Sequence, residues 1–150
     1  MNTFSAICLL LCASQTMGHL QFSEEELKCI KDLNLDKNYI ESIITDDSSK
    51  FIPEDDPKFN LFLNCYWKAI EFQNEDGTFN FDKLEKEIST FTRKNFGGKP
   101  NDEAPIGLDI ANAAVASCKN VPAGVSHGQT AARVKNCIDK RLLELIEKKN

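Results

Sequence analysis

An all-α domain tied by disulfides is what this sequence predicts, and three observations carry that expectation. Apolar residues recur at helical spacing in six separate segments, and no stretch alternates in the way a half-buried strand would. Helix-start chemistry precedes several of those segments, most plainly Ser23-Glu24-Glu25-Glu26 and Asp56-Pro57. Beyond an apolar leader, four cysteines remain, an even number that predicts two bridges in an oxidising compartment.

The leader comes first. Phe4 to Ala13 is an apolar run too short to span a bilayer, with the length of a signal-peptide core. Its one departure is an n-region without Lys or Arg. Cleavage is expected after Gly18, with Ser14 as the alternative, so residues 1–18 read as a signal peptide and 19–150 as one secreted, extracellular domain. Cys8 and Cys12 leave with it, and Cys29, Cys65, Cys118 and Cys137 stay. Their spacings, 35, 52 and 18 intervening residues, match no zinc pattern and leave three connectivities open. The leader has no charged side chain, so the net charge of −5 belongs to the domain and disfavours nucleic acid and anionic membranes as partners. No Asn-x-Ser/Thr sequon occurs.

The capping box at Ser23 opens a helix with Leu27, Ile30 and Leu33 on its inward face and Cys29 beside them. A short helix follows from about Asp36, with Tyr39, Ile40, Ile43 and Ile44 apolar. Asp46 to Pro57 is an acidic, solvated connection. Phe59 to Phe72 then reads as the central helix. At about 100° per residue, Phe59, Phe62, Leu63, Tyr66, Ala69 and Ile70 share one broad face, and Leu61, Cys65 and Phe72 a second. Asn60, Asn64 and Glu71 fall on the remainder.

Asn74-Glu75-Asp76-Gly77 is a turn whose acidic spacing fails for a calcium loop. Asn80 caps an amphipathic helix with Phe81, Leu84, Ile88 and Phe91 inward. Asn95 to Pro105, holding Gly97-Gly98 and two prolines, reads as a long mobile loop. Ile106 to Cys118 is apolar and alanine-rich enough to be buried, with Asp109 in its first turn or orienting a ligand. Val121-Pro122-Ala123-Gly124 breaks it. Ser126 opens the last helix, with Ala131, Val134, Ile138, Leu142, Leu145 and Ile146 inward.

Cys65-Tyr66-Trp67-Lys68 followed by Asp76-Gly77-Thr78-Phe79-Asn80, with the pair Cys118 and Cys137, resembles the insect odorant-binding proteins of the pheromone and general odorant-binding type. The resemblance covers essentially the whole mature chain. Family members usually carry two further cysteines, at positions occupied here by Leu61 and Gly128, so the chain is similar to the four-cysteine, minus-C subclass. The gap from Cys65 to Cys118 is longer than the family's usual one, and the chain ends with its last helix, without the long tail of some pheromone-binding members.

What the resemblance implies is about six helices around an internal hydrophobic cavity, with bridges Cys29–Cys65 and Cys118–Cys137. It implies a secreted carrier of small hydrophobic ligands (odorants, pheromones or similar semiochemicals), with no cofactor. A membrane chemoreceptor is a second implied partner, and the carrier would be a monomer or weak homodimer. Candidate lining residues are Phe59, Phe62, Tyr66, Leu84, Ile88, Ile110, Ala114, Ile138 and Leu142, with the Tyr66 hydroxyl as a polar anchor and Trp67 as core or lining. Leu61 and Gly128, without their bridge, suggest an end of the last helix that opens for ligand entry. Alternatives are a general carrier of hydrophobic molecules in a non-sensory secretion and a saposin-like membrane-active protein, the latter disfavoured by acidic charge. Nothing here proposes an enzyme. His19 and His127 are the only histidines, no serine sits in a nucleophile elbow, and no catalytic or metal-ligating set emerges. With His127 at a helix start, little histidine-driven ligand release is expected between neutral and mildly acidic pH.

Overall fold

The computed structural model describes residues 14–16, 19–96 and 106–148. Six helices occur among them: α1 (Glu24–Asp32), α2 (Lys37–Ile44), α3 (Pro57–Ala69), α4 (Phe81–Phe96), α5 (Ile106–Ala116) and α6 (His127–Glu147). They are preceded by an antiparallel ladder of β1 (Ser14–Thr16) and β2 (His19–Gln21), with Ser14 opposite Gln21. The sequence gives no sign of this ladder, because three residues are too few to show alternation. The rest of the expected leader lies outside the described residues.

Each helix start follows from its local sequence. The Ser23 hydroxyl accepts from the Glu26 N–H at 3.3 Å while the Ser23 N–H donates to Glu26 Oε2 at 2.7 Å, a complete capping box. Asp36 caps α2 and Asp56 caps α3, where Asp56 Oδ1 accepts from the Phe59 N–H at 2.9 Å. The Tyr39 hydroxyl donates to the other Asp56 oxygen, joining α2 to the start of α3. Asn80 Oδ1 accepts from the Lys83 N–H at 3.2 Å, and the Ser126 hydroxyl from the Gln129 N–H at 3.1 Å.

Two helices stop in the same way. After α1, Asn34 takes φ +50° and the Leu35 N–H bonds the Ile30 carbonyl at 2.9 Å. After α3, Glu71 takes φ +63° and the Phe72 N–H bonds the Trp67 carbonyl at 2.8 Å. Both are left-handed C-terminal caps in which the last carbonyls are satisfied by the chain's return. The second brings the Phe72 ring edge-on to Trp67, with centroids 5.7 Å apart. The central helix therefore ends at Ala69, short of Phe72. At the other disputed boundary, α4 continues through Phe96, so the expected loop begins later than Asn95. Residues 97–105 lie outside the described residues.

α3 packs on α6 and α1, and α5 packs on both α4 and α6. Cys29–Cys65 ties α1 to α3, and Cys118–Cys137 ties the residues just past α5 to α6. The core runs through all six helices, from Ile30, Ile40 and Ile44 through α3 to Leu84, Ala111, Val115, Val134 and Ile146.

Three faces differ from expectation. Leu27 is 43 % exposed, because the bridge at Cys29 turns Glu26, Cys29 and Ile30 inward and leaves Leu27 about 100° away. Leu61 is 53 % exposed and Asn60 buried: α3 buries one wide face centred on Phe59, Leu63 and Tyr66, and Leu61 lies opposite it. Ala69 is exposed at the end of that helix.

Candidate functional site

The nine candidate lining residues come from four helices and share one buried cluster. α3 contributes Phe59, Phe62 and Tyr66, α4 Leu84 and Ile88, α5 Ile110 and Ala114, and α6 Ile138 and Leu142; none is more than 9 % exposed. Helical spacing sets the α3 group in a row: the rings of Phe59 and Phe62 lie 5.7 Å apart, and those of Phe62 and Tyr66 stack at 6.1 Å, nearly parallel. α5 and α6 also bury small side chains in this core, Ala111, Ala114, Ala131 and Ala132, all fully buried.

Trp67 belongs to a different neighbourhood. Its ring meets Phe72 and Phe79 edge-on at 5.7 and 6.0 Å, which fixes the 73–79 turn against the end of α3. Asp109 is exposed in the first turn of α5, the helix-dipole position. His127, the first residue of α6, is exposed with Nδ1 3.5 Å from Lys68 Nζ, and its ring lies over Gly77.

The start of α6 is not a gap. An ideal Cβ on Gly128 would stand 2.0 Å from the Asn60 carbonyl oxygen, so α6 touches the backbone of α3 there. Glycine at this position permits the approach, which overturns the expectation of an unfilled gap there. Gln129 adds to the attachment by donating from Nε2 to Asp55 Oδ1 at 2.9 Å. The neighbouring open cleft, about 650 Å³, is lined by Leu61, Asn64, Val125 and His127 among others. A second open cleft of about 810 Å³ runs between Phe51–Asp55, Val121–Pro122 and the Arg133–Arg141 side of α6. Neither is lined by any of the nine buried candidates.

Polar groups inside the domain were missed by sequence reasoning. Lys135 and Asp139 are both buried on α6, with Lys135 Nζ 2.5 Å from Asp139 Oδ2. Burial pushes the Asp139 carboxyl up, and the Lys135 ammonium pulls it back. Asp139 Oδ1 is buried and receives no hydrogen bond among the described residues. The signal was available: Lys135 lies four residues after Ala131 and seven before Leu142, in the middle of the inward stripe. Glu26 is likewise fully buried. Desolvation raises its carboxyl to about 7, against the lowering effect of its bonds to Ser23.

Among the described residues no helix is long and apolar enough to cross a membrane. The model of the PBP/GOBP family matches residues 13–141. No curated protein and no solved structure matches the chain.

Proposed function

The chain belongs to the PBP/GOBP family, the insect odorant-binding proteins, and from that membership we propose a secreted carrier that holds small hydrophobic ligands among α3, α4, α5 and α6. The observation that carries the reading is the convergence of nine apolar side chains from four helices in one buried cluster, with an aromatic row on α3. Such a lining suits an aliphatic or mixed alkyl-aryl molecule with few polar groups. Residues 1–18 act in export and are removed. The four cysteines that follow the expected leader support a reading as a minus-C member, with Gly128 serving as a helix-contact residue where other members carry a cysteine.

The test is displacement of an apolar fluorescent dye, N-phenyl-naphthylamine, from purified 19–150. The reading expects saturable dye uptake, competed by medium-chain alkyl compounds, and no leakage from anionic liposomes. Absence of saturable uptake would overturn it. Mass spectrometry of compounds extracted from protein purified from its natural fluid would then identify the ligand class.

A further inference from the structure

Resting on that carrier reading, we propose that Lys135 and Asp139 form a polar anchor inside the domain, where Asp139 Oδ1 accepts a hydrogen bond from a ligand hydroxyl. Long-chain alcohols are then held in preference to ethers, esters or hydrocarbons of equal length.

The position of the pair is the first argument. On a helical projection of α6, Lys135 lies at the centre of the buried stripe, with Ala131, Ile138 and Leu142 on one side and Ala132 and Asp139 on the other. Ile138 and Leu142 are candidate lining residues, so the carboxylate sits beside the apolar wall and not at the surface.

The second argument is energetic. Two charges removed from water on a core-facing stripe are a poor stability device, since aliphatic side chains of similar volume would serve as well or better. Lys135 and Asp139 are 0 % and 3 % exposed at their side chains, so no solvent offsets their desolvation. The third is stoichiometric. Lys135 donates to Oδ2, but Oδ1 remains buried without a donor among the described residues. A buried acceptor in that condition is costly, and a donor brought by a ligand recovers the cost on binding. The donor must be neutral, because a charged one would bring a further desolvation cost. A hydroxyl meets both needs. An ether or ester oxygen brings only lone pairs, which face those of Oδ1.

The experiment uses 19–150 loaded with N-phenyl-naphthylamine and competed with decanol, its methyl ether and methyl decanoate. Decanol is expected to compete at least about tenfold more tightly than the ether, the scale of one hydrogen bond to a charged group. In the double variant Lys135→Met with Asp139→Leu, dye binding and the melting temperature are expected to persist while the alcohol preference disappears. Dye binding without an alcohol preference in the parent overturns the anchor and leaves the carrier reading standing, as would happen if a trapped water already satisfied Oδ1. A preference that survives in the double variant also overturns it. Failure of the parent to bind the dye and all three competitors overturns both readings. If the double variant does not fold, the parent comparison is repeated with Asp139→Asn, whose amide leaves one uncharged acceptor; the alcohol preference must then fall.

Discussion

Glu26 does two things that pull its proton in opposite directions. Its Oε2 accepts from the Ser23 N–H and closes the capping box, which favours the carboxylate, but the side chain has no solvent exposure. Desolvation wins and raises the group from 4.5 to about 7. A carboxyl raised in the folded state binds its proton more tightly there than in the unfolded chain. Its contribution is therefore complete below about pH 4.5 and is lost as pH rises through about 7. Glu26→Gln keeps the capping geometry without the charge. Chemical denaturation should show the variant more stable than the parent by about 1–2 kcal/mol at pH 8 and equal to it near pH 4.5. Parallel pH profiles for the two proteins would refute this account. Gly128 supplies the opposite sign. Gly→Ala inside a helix ordinarily stabilises by close to 1 kcal/mol, yet here the new Cβ meets the Asn60 carbonyl at 2.0 Å. Gly128→Ala should instead destabilise by about 1–3 kcal/mol, read as a lowered thermal midpoint. Neither effect is visible in the sequence, since both depend on what another helix brings to within contact distance.

At the scale of the helices, more was legible. Ser23, Asp36, Asp56, Asn80 and Ser126 each announce a helix start, and each cap is formed by the residue expected. The ends were harder. Asn34 is a natural left-handed cap, but Glu71 is not, and only its partners Trp67 and Phe72 explain why α3 stops where it does. Faces were legible wherever one stripe dominates, as on α6, and misread on α3, whose second apolar strip turned out to hold an exposed Leu61. The nine candidate lining residues are all buried, as apolar periodicity predicts, whereas that periodicity gives no sign of the charged pair Lys135 and Asp139 on the same stripe. The two bridges close loops with sequence separations of 36 and 19 residues. Replacing either pair by alanine should cost about 3–4 kcal/mol, slightly more for Cys29–Cys65, as measured by the midpoint of guanidinium unfolding. Conversely, a new bridge through Leu61→Cys with Gly128→Cys is not expected to oxidise, since position 128 has no room for a Cβ. Its formation in good yield, detected by thiol counting, would show that α6 moves off α3 readily.

For the whole molecule the open matter is where the folded unit begins. β1 and β2 pair across the expected cleavage point, so export would remove one strand of the only ladder described. The helices and both bridges lie after it, and β1 supplies only three residues of backbone pairing. Phe22 immediately follows β2 and makes a different kind of attachment. It is buried against the core, with Lys37 Nζ 5.6 Å from its ring centroid, and so joins the start of the mature chain to α2. Two truncations separate these contributions. The chain 19–150 should match the full chain in helical content by circular dichroism and melt within a few degrees of it, because a three-residue, two-stranded ladder contributes little. The chain 23–150, which lacks Phe22, should lose about 1.5–3 kcal/mol, the scale of burying one large apolar side chain. A large loss already at 19–150 would mean that the ladder, and not Phe22, holds α1 in place. The unit that folds would then extend into the residues read here as leader, and the site of cleavage would have to lie upstream of β1.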